Sequence, residues 1–213
     1  MSNQNKEESV KLKGQEITRV EEYRYLGQTI TPSGDLQKEI TNRIKSSWLA
    51  FKKIETVLTS DNVTNNTKAN LFNTNILPAL AYASETWNTT NRIEKRLITT
   101  QRAMERRMVN ISKRQHIKAE TIREMTGVKD VIHSIYKNKH RWAGHVARTQ
   151  DNRWTTRTTY WCPYGQKRKK GRPNIRWEDP LLEVYGPTWS RIAKDRKRWK
   201  SEDDGLHHWR TNR

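Results

Sequence analysis

The spacing of hydrophobic positions changes at about residue 35. Between Val10 and Ile30, short runs of hydrophobic and polar residues partly alternate, and Lys13-Gly14 fits a turn between two of them. Alternation with a period of two is typical of strands, so these residues predict a short N-terminal β-hairpin. The Thr-Pro-Ser-Gly sequence at residues 31–34 breaks the pattern and predicts a loop.

Helical periodicity dominates the rest of the chain. Hydrophobic residues recur near every fourth position from residue 36 to about 58, and Asp35 or Ser33 can cap this helix. Further helical stretches follow at residues 71–77, which meet Pro78, and at 91–111, 117–125, 176–185 and 188–200. The pattern predicts a mainly α fold, with a short N-terminal β-hairpin, a helical bundle and an irregular, basic, Trp-rich C-terminal region.

One further helix should begin at Asp130, a good N-cap, and run on past Lys139. On a helical wheel its hydrophobic positions lie together, and these are Val131, Ile135, Trp142 and Val146. The opposite face carries Lys137, Arg141 and Arg148, with Gly144 beside them. A glycine there would let a backbone or phosphate approach closely. The alternative is that this basic face is a solvated stripe.

Charge is distributed unevenly along the chain. The 42 Lys and Arg against 23 Asp and Glu give a net charge of +19, and only 32% of residues are hydrophobic. From Gln101 onward there are 28 basic and 12 acidic residues, so most of the excess lies in the second half. This asymmetry predicts a polyanion partner, and nucleic acid fits better than a membrane because the cations are spread over several elements.

Catalytic and metal-binding patterns are weak. Cys162 is the single cysteine, which excludes an internal disulfide and predicts a reducing, intracellular environment. His140 and His145 should point to different sides of a helix, so neither a metal site nor another cofactor is predicted. Asp203-Asp204 lacks the hydrophobic strands that flank a two-metal polymerase site. The first residues contain no hydrophobic run typical of a signal peptide.

The strongest local signals are basic. Arg-Trp pairs recur at residues 141–142, 153–154, 176–177 and 198–199, where the indole can pack inward while the arginine faces a partner. A continuous basic run precedes a Gly-Arg-Pro sequence, and the predicted contacts in it are Lys167, Arg168, Lys169, Lys170, Gly171 and Arg172. An extended Gly-Arg-Pro suits a narrow A·T minor groove. A nuclear-import signal and a flexible linker are the alternatives.

Five segments together resemble the C-terminal part of reverse transcriptases of non-LTR retrotransposons, in the group that joins an endonuclease to the polymerase. They occur in the family's order and span nearly all of residues 10–200. They are YRYLGQTI at 23–30, ILPALAYASETW at 76–87, QRAMERRM at 101–108, RWAGHVAR at 141–148 and GRPNIRWED at 171–179.

The resemblance implies a division of labour. It implies that residues 1–34 hold a primer-grip-like hairpin that includes Tyr25, Leu26 and Gly27, and that residues 35–127 form a thumb-like helical domain. It further implies that residues 128–200 form the basic Arg/Trp-rich nucleic-acid-binding extension, to which Arg176 belongs. Residues 201–213 are expected to be a disordered tail.

The chain also departs from the family. The aromatic-Ala-Asp-Asp catalytic motif, the fingers, the endonuclease and the zinc knuckle of some relatives are not in this sequence. Where many relatives read Tyr-Gly-Ser-Glu-Thr-Trp, this chain has Ala83, which indicates drift. We therefore expect a nucleic-acid-binding fragment that takes RNA, DNA or both, works with the rest of a reverse transcriptase, and does not polymerise alone. A host-used nuclear protein that binds AT-rich DNA is the alternative, and a metal-dependent nuclease is a third reading.

Overall fold

Two small hairpins precede the helices, where the alternating pattern predicts one. The computed structural model describes residues 10–151, 153–160 and 175–202. Strands β1 (Lys11–Leu12) and β2 (Gln15–Glu16) form one antiparallel pair, and β3 (Tyr23–Tyr25) and β4 (Gln28–Ile30) form another. In the second hairpin, Tyr25 pairs with Gln28 across a two-residue turn.

Helices account for most of the described residues, which confirms the mainly α class. In chain order they are α1 (Gln37–Lys53), α2 (Glu55–Thr59), α3 (Asn65–Leu71), α4 (Leu77–Leu80), α5 (Asn91–Met108), α6 (Ala119–Thr126), α7 (Val131–Arg148), α8 (Trp154–Thr159), α9 (Asp179–Tyr185), α10 (Trp189–Lys194) and α11 (Arg196–Ser201). Short 3₁₀ turns lie at Ser84–Thr86 and Lys113–Gln115. The helix predicted at 36–58 is interrupted at Ile54, where α1 ends and α2 begins.

Proline explains an irregularity between α3 and α4. Residues Phe72–Ile76 form a π-turn, in which the Leu77 N–H donates to the Phe72 carbonyl five residues earlier. Pro78 has no N–H to offer the carbonyl of Thr74, so the regular ladder is broken at this point. The wider turn presents Asn73, whose side-chain oxygen accepts a hydrogen bond from the Lys129 N–H at 3.1 Å.

The main core packs α1, α3, α4 and α5 against the start of α7. Its fully buried members include Ile40, Phe51, Phe72, Trp87, Leu97, Met104 and Ile135. Met104 and Met108 are core residues, as their spacing predicts. The Gln101 side chain joins α5 to α7 by donating to the Lys129 carbonyl at 2.7 Å and accepting from the Val131 N–H at 2.8 Å.

A second core forms on the other half of α7. Tyr136, Ala143 and Ala147 pack there against residues from α9, α10 and α11, which are Leu181, Trp189, Ala193 and Trp199. Ile132 is partly buried against both cores. Helix α7 is thus the element that the two cores share, and its remaining face is available to solvent.

Candidate nucleic-acid interface

Side chains from two other parts of the chain hold the turn of the second hairpin in place. Leu26 and Gly27 both have positive φ angles, 48° and 81°, as a type I′ hairpin turn requires at its two central residues. The Tyr82 hydroxyl donates to the Leu26 carbonyl at 3.1 Å, and the Arg43 guanidinium donates to the Gly27 carbonyl. Arg43 also lies 4.8 Å from the centre of the Tyr82 ring. These contacts fix the turn, while 76% of the Leu26 surface stays exposed.

A groove of about 970 Å³ runs between this turn and α7. One side carries Tyr25, Leu26 and Tyr82, and the other carries Lys137 and Arg141. We call this space the α7 groove. It brings together two sets of predicted residues that are more than 100 positions apart in the sequence: the primer-grip-like tip and part of the basic face of α7.

A second recess lies farther along α7. It is lined by Trp142, Trp154, Thr155, Arg176 and Trp177, among others, and we call it the tryptophan recess. A shallow depression lined by Arg141, Trp142 and His145 connects the two spaces. The Trp142 and His145 rings stack with centroids 5.3 Å apart. Cationic and aromatic side chains therefore line adjoining surfaces, together with the carboxylates of Glu85 and Glu178.

The carboxylate of Asp130, at the start of α7, has hydrogen-bond and ion-pair partners within the protein. Asp130 caps the helix by accepting hydrogen bonds from the N–H groups of Ile132 at 2.7 Å and His133 at 3.0 Å, and it pairs with Arg123. Burial raises the pKa of Asp130, but these N–H groups and the Arg123 guanidinium outweigh burial and hold that pKa below its ordinary value. Its carboxylate is thus committed to the helix end. Of the other charged residues that line the groove, Lys129, Lys137 and Arg141 outnumber Glu85.

The structure shows what two residues of the basic face contact. The Arg148 guanidinium donates to the Ala193 carbonyl at 2.8 Å and so ties α7 to α10. Its contact with nucleic acid stays a prediction, as it does for Lys137 and Arg141. Gly144 is buried, and a Cβ there would overlap the indole of Trp199. The missing side chain makes room for a tryptophan, and not for a phosphate.

The four Arg-Trp tryptophans have different environments. Trp199 is buried, stacks on His140 with centroids 4.0 Å apart, and donates from its indole nitrogen to the His140 carbonyl at 2.9 Å. Trp142 and Trp177 are half-buried, and Trp154 is exposed. The prediction of inward packing therefore fits Trp199 fully, and Trp154 not at all.

Other predicted residues lie outside the part of the chain that the structure describes. These are Lys167, Arg168, Lys169, Lys170, Gly171 and Arg172, together with Cys162 and Asp203-Asp204. Within residues 10–151, 153–160 and 175–202, no group of three or more His, Cys, Asp or Glu is placed to hold a metal ion. Those residues also include no helix both long and hydrophobic enough to cross a membrane.

The periodicity of the sequence does not reveal Arg43 and Tyr82 as groove residues. Arg43 lies on the buried side of α1, where its Nε donates to the Glu39 carboxylate at 2.6 Å. On a helical wheel, Arg43 and Glu39 are two charged residues on a face that is expected to be hydrophobic. The sequence singles out Tyr82 only as a member of the segment at residues 76–87 that resembles the family. A buried ion pair beside a tight turn is the signal that could have linked them.

Comparison with known proteins now adds to this geometry. Transposon-derived protein F52C9.6 of Caenorhabditis elegans is 40% identical to this chain over 199 aligned residues, which cover 86% of the chain and 70% of that protein. The chain belongs to the family of this transposon-derived protein. Membership supports a transposable-element origin for the sequence. No protein-family model and no solved structure matches the chain.

Proposed function

We propose that this chain is the nucleic-acid-binding part of a retrotransposon reverse transcriptase, without the catalytic palm. The transposon-derived relative supports the origin, and the five ordered sequence segments support the narrower assignment. In this proposal residues 35–127 act as the thumb-like domain and residues 128–200 as the basic extension. RNA, DNA or both are the partners, the rest of a reverse transcriptase supplies the chemistry, and the protein works in the nucleus.

The observation that carries the proposal is the α7 groove. Its rim combines a fixed hairpin turn, which can support a strand, with Lys137 and exposed Arg141, which can neutralise phosphates. Phosphate contacts supply most non-specific affinity and make it depend on salt. A cationic groove beside a rigid turn is suited to hold a nucleic-acid backbone in one register.

The test removes two charges from the groove and, as a control, two from elsewhere. Lys137→Gln with Arg141→Gln should weaken binding to a short duplex and lower the slope of log affinity against log salt by about 2 units, at roughly 0.9 per phosphate contact. The control is Lys45→Gln with Lys52→Gln, two exposed lysines on α1 with the same loss of charge. Fluorescence anisotropy at several salt concentrations measures both.

The two double variants separate a site from a general cationic attraction. A site at the groove predicts that the α1 variant keeps nearly the wild-type affinity and slope. Equal losses in both variants would mean that nucleic acid does not use the groove, and no measurable binding by the wild type would contradict the proposed function itself. Circular dichroism confirms that each variant is folded.

A further inference from the structure

Three indoles from separate parts of the chain meet in the tryptophan recess. Trp142 comes from α7, Trp154 from α8, and Trp177 from the segment before α9. Trp154 keeps 76% of its surface exposed. An indole is the largest hydrophobic side chain, so leaving it in water forgoes a large stabilisation on folding. The exposed indole is available to stack against a flat aromatic group of a ligand.

The recess is pre-organised for such a ligand. The Trp177 indole nitrogen donates to the Glu85 carbonyl at 2.7 Å, and the Lys139 ammonium donates to the Trp177 carbonyl at 3.1 Å. Trp142 is braced by its stack with His145. Two of the three indoles are therefore held before any ligand arrives, which lowers the entropic cost of binding.

Charge around the recess favours an anion. The Arg157 guanidinium lies 5.5 Å from the centre of the Trp154 ring, and Arg176 is exposed in the lining. Arg153 is exposed nearby and pairs with Asp151. Glu178 is the acidic residue in the lining. A ligand that offers both flat aromatic groups and negative charge matches this set. In a duplex the base faces are already stacked on one another, whereas a single strand offers them freely.

We propose that the tryptophan recess binds unpaired bases of a single-stranded nucleic acid by stacking, with Trp154 as the outer platform. The inference rests on the proposed nucleic-acid-binding function and specifies the state of the strand. The α7 groove then contacts the backbone, and the recess takes bases that are not paired.

The experiment compares two strands of equal charge. One is a fluorescein-labelled 12-nucleotide oligo(dT), and the other has the same backbone with abasic sites in place of the bases. Wild type should bind oligo(dT) at least about fivefold more tightly than the abasic strand, because each stacked base contributes favourably. Trp154→Ala should lose most of that preference, and Trp154→Phe should keep a large part of it. Leu49→Ala, which truncates an exposed hydrophobic residue on α1, should change neither affinity.

The outcomes distinguish this inference from the proposed function. If Trp154→Ala weakens both strands equally, or neither, stacking at Trp154 is wrong while nucleic-acid binding stands. If wild type binds oligo(dT) and the abasic strand alike, the recess does not take bases, and another ligand covers it. If wild type binds neither strand nor a duplex of equal length, the proposed function fails.

Discussion

Single residues show where the chain accepts backbone strain. Ala83 adopts φ 58° and ψ 20°, the left-handed region, at the start of the 3₁₀ turn that borders the α7 groove. A side chain costs about 1–2 kcal/mol in this conformation, and glycine avoids the cost. Glycine is the residue that the sequence resemblance leads us to expect at this position, and the positive φ angle gives a physical meaning to the departure.

Ala83→Gly should therefore stabilise the protein by about 1 kcal/mol, after allowing for the extra entropy of glycine in the unfolded chain. Urea unfolding followed by circular dichroism measures the change. Ala50→Gly, in the last turn of α1, is the control at a position with helical backbone angles and should destabilise by a similar amount. A destabilised Ala83→Gly variant would show that the turn is not strained.

Gly144 shows what the sequence predicts about a single residue and what it does not. The sequence identifies a glycine inside a helix where close approach is needed, and that is correct. It does not reveal what approaches, because Trp199 is 55 positions away in the chain and only the packing of α11 on α7 brings it there.

Gly144→Ala should destabilise the protein by about 1–3 kcal/mol through overpacking against Trp199, although alanine normally favours a helix. The same substitution made together with Trp199→Ala should cost less than in the wild type, because the clashing indole is gone. A double-mutant cycle of unfolding free energies tests this coupling. Additive effects of the two substitutions would contradict the clash.

At the scale of elements, the sequence predicts where α7 begins but not which residues stabilise that end of the helix. Asp130 was identified as an N-cap from sequence, and the structure confirms it. Its pairing with Arg123, which also donates to Glu105 at 3.0 Å, depends on how α5, α6 and α7 meet. Periodicity finds the buried face of each helix but not the neighbour against which it packs.

This cluster gives stability an acid dependence with a definite sign. The pKa of Asp130 is lowered in the fold, so its contribution is present above the unfolded pKa, roughly 4, and is lost as pH falls through the folded value. Burial raises the pKa of Glu105, an effect that Arg123 only partly offsets. The contribution of Glu105 to stability therefore changes with pH in the opposite direction: its protonation as pH falls stabilises the folded state.

Asp130→Asn should destabilise the protein by about 1 kcal/mol or more near pH 7, because the ion pair with Arg123 is lost even though the amide still caps. The gap from wild type should begin to narrow as pH falls below roughly 4, where the unfolded chain takes up a proton at Asp130, and should close as pH falls through the lower folded pKa. Chemical unfolding at pH 7 and at acidic pH measures both gaps. A gap that does not change with pH would contradict this assignment.

At the scale of the whole molecule, composition favours a nucleic-acid partner, which stays a prediction, and does not indicate which surface would bind it. Most of the positive charge lies after Gln101, yet the α7 groove also uses the hairpin turn at residues 25–28. The mainly α class and most helices followed from periodicity. The groove did not, because it depends on contacts between residues far apart in the sequence, including the hold of Arg43 and Tyr82 on the turn.

The central claim is that nucleic acid lies along α7, between the hairpin turn and the tryptophan recess. Photo-crosslinking the full chain to an iodouracil-substituted oligonucleotide, followed by mass spectrometry of the adducts, tests it most directly. The α7 groove offers a reactive aromatic side chain at Tyr25, and the depression beside it offers Trp142 and His145. We predict adducts at one or more of these residues, reduced by Lys137→Gln with Arg141→Gln. Adducts found exclusively outside the α7 groove and the tryptophan recess would contradict the account.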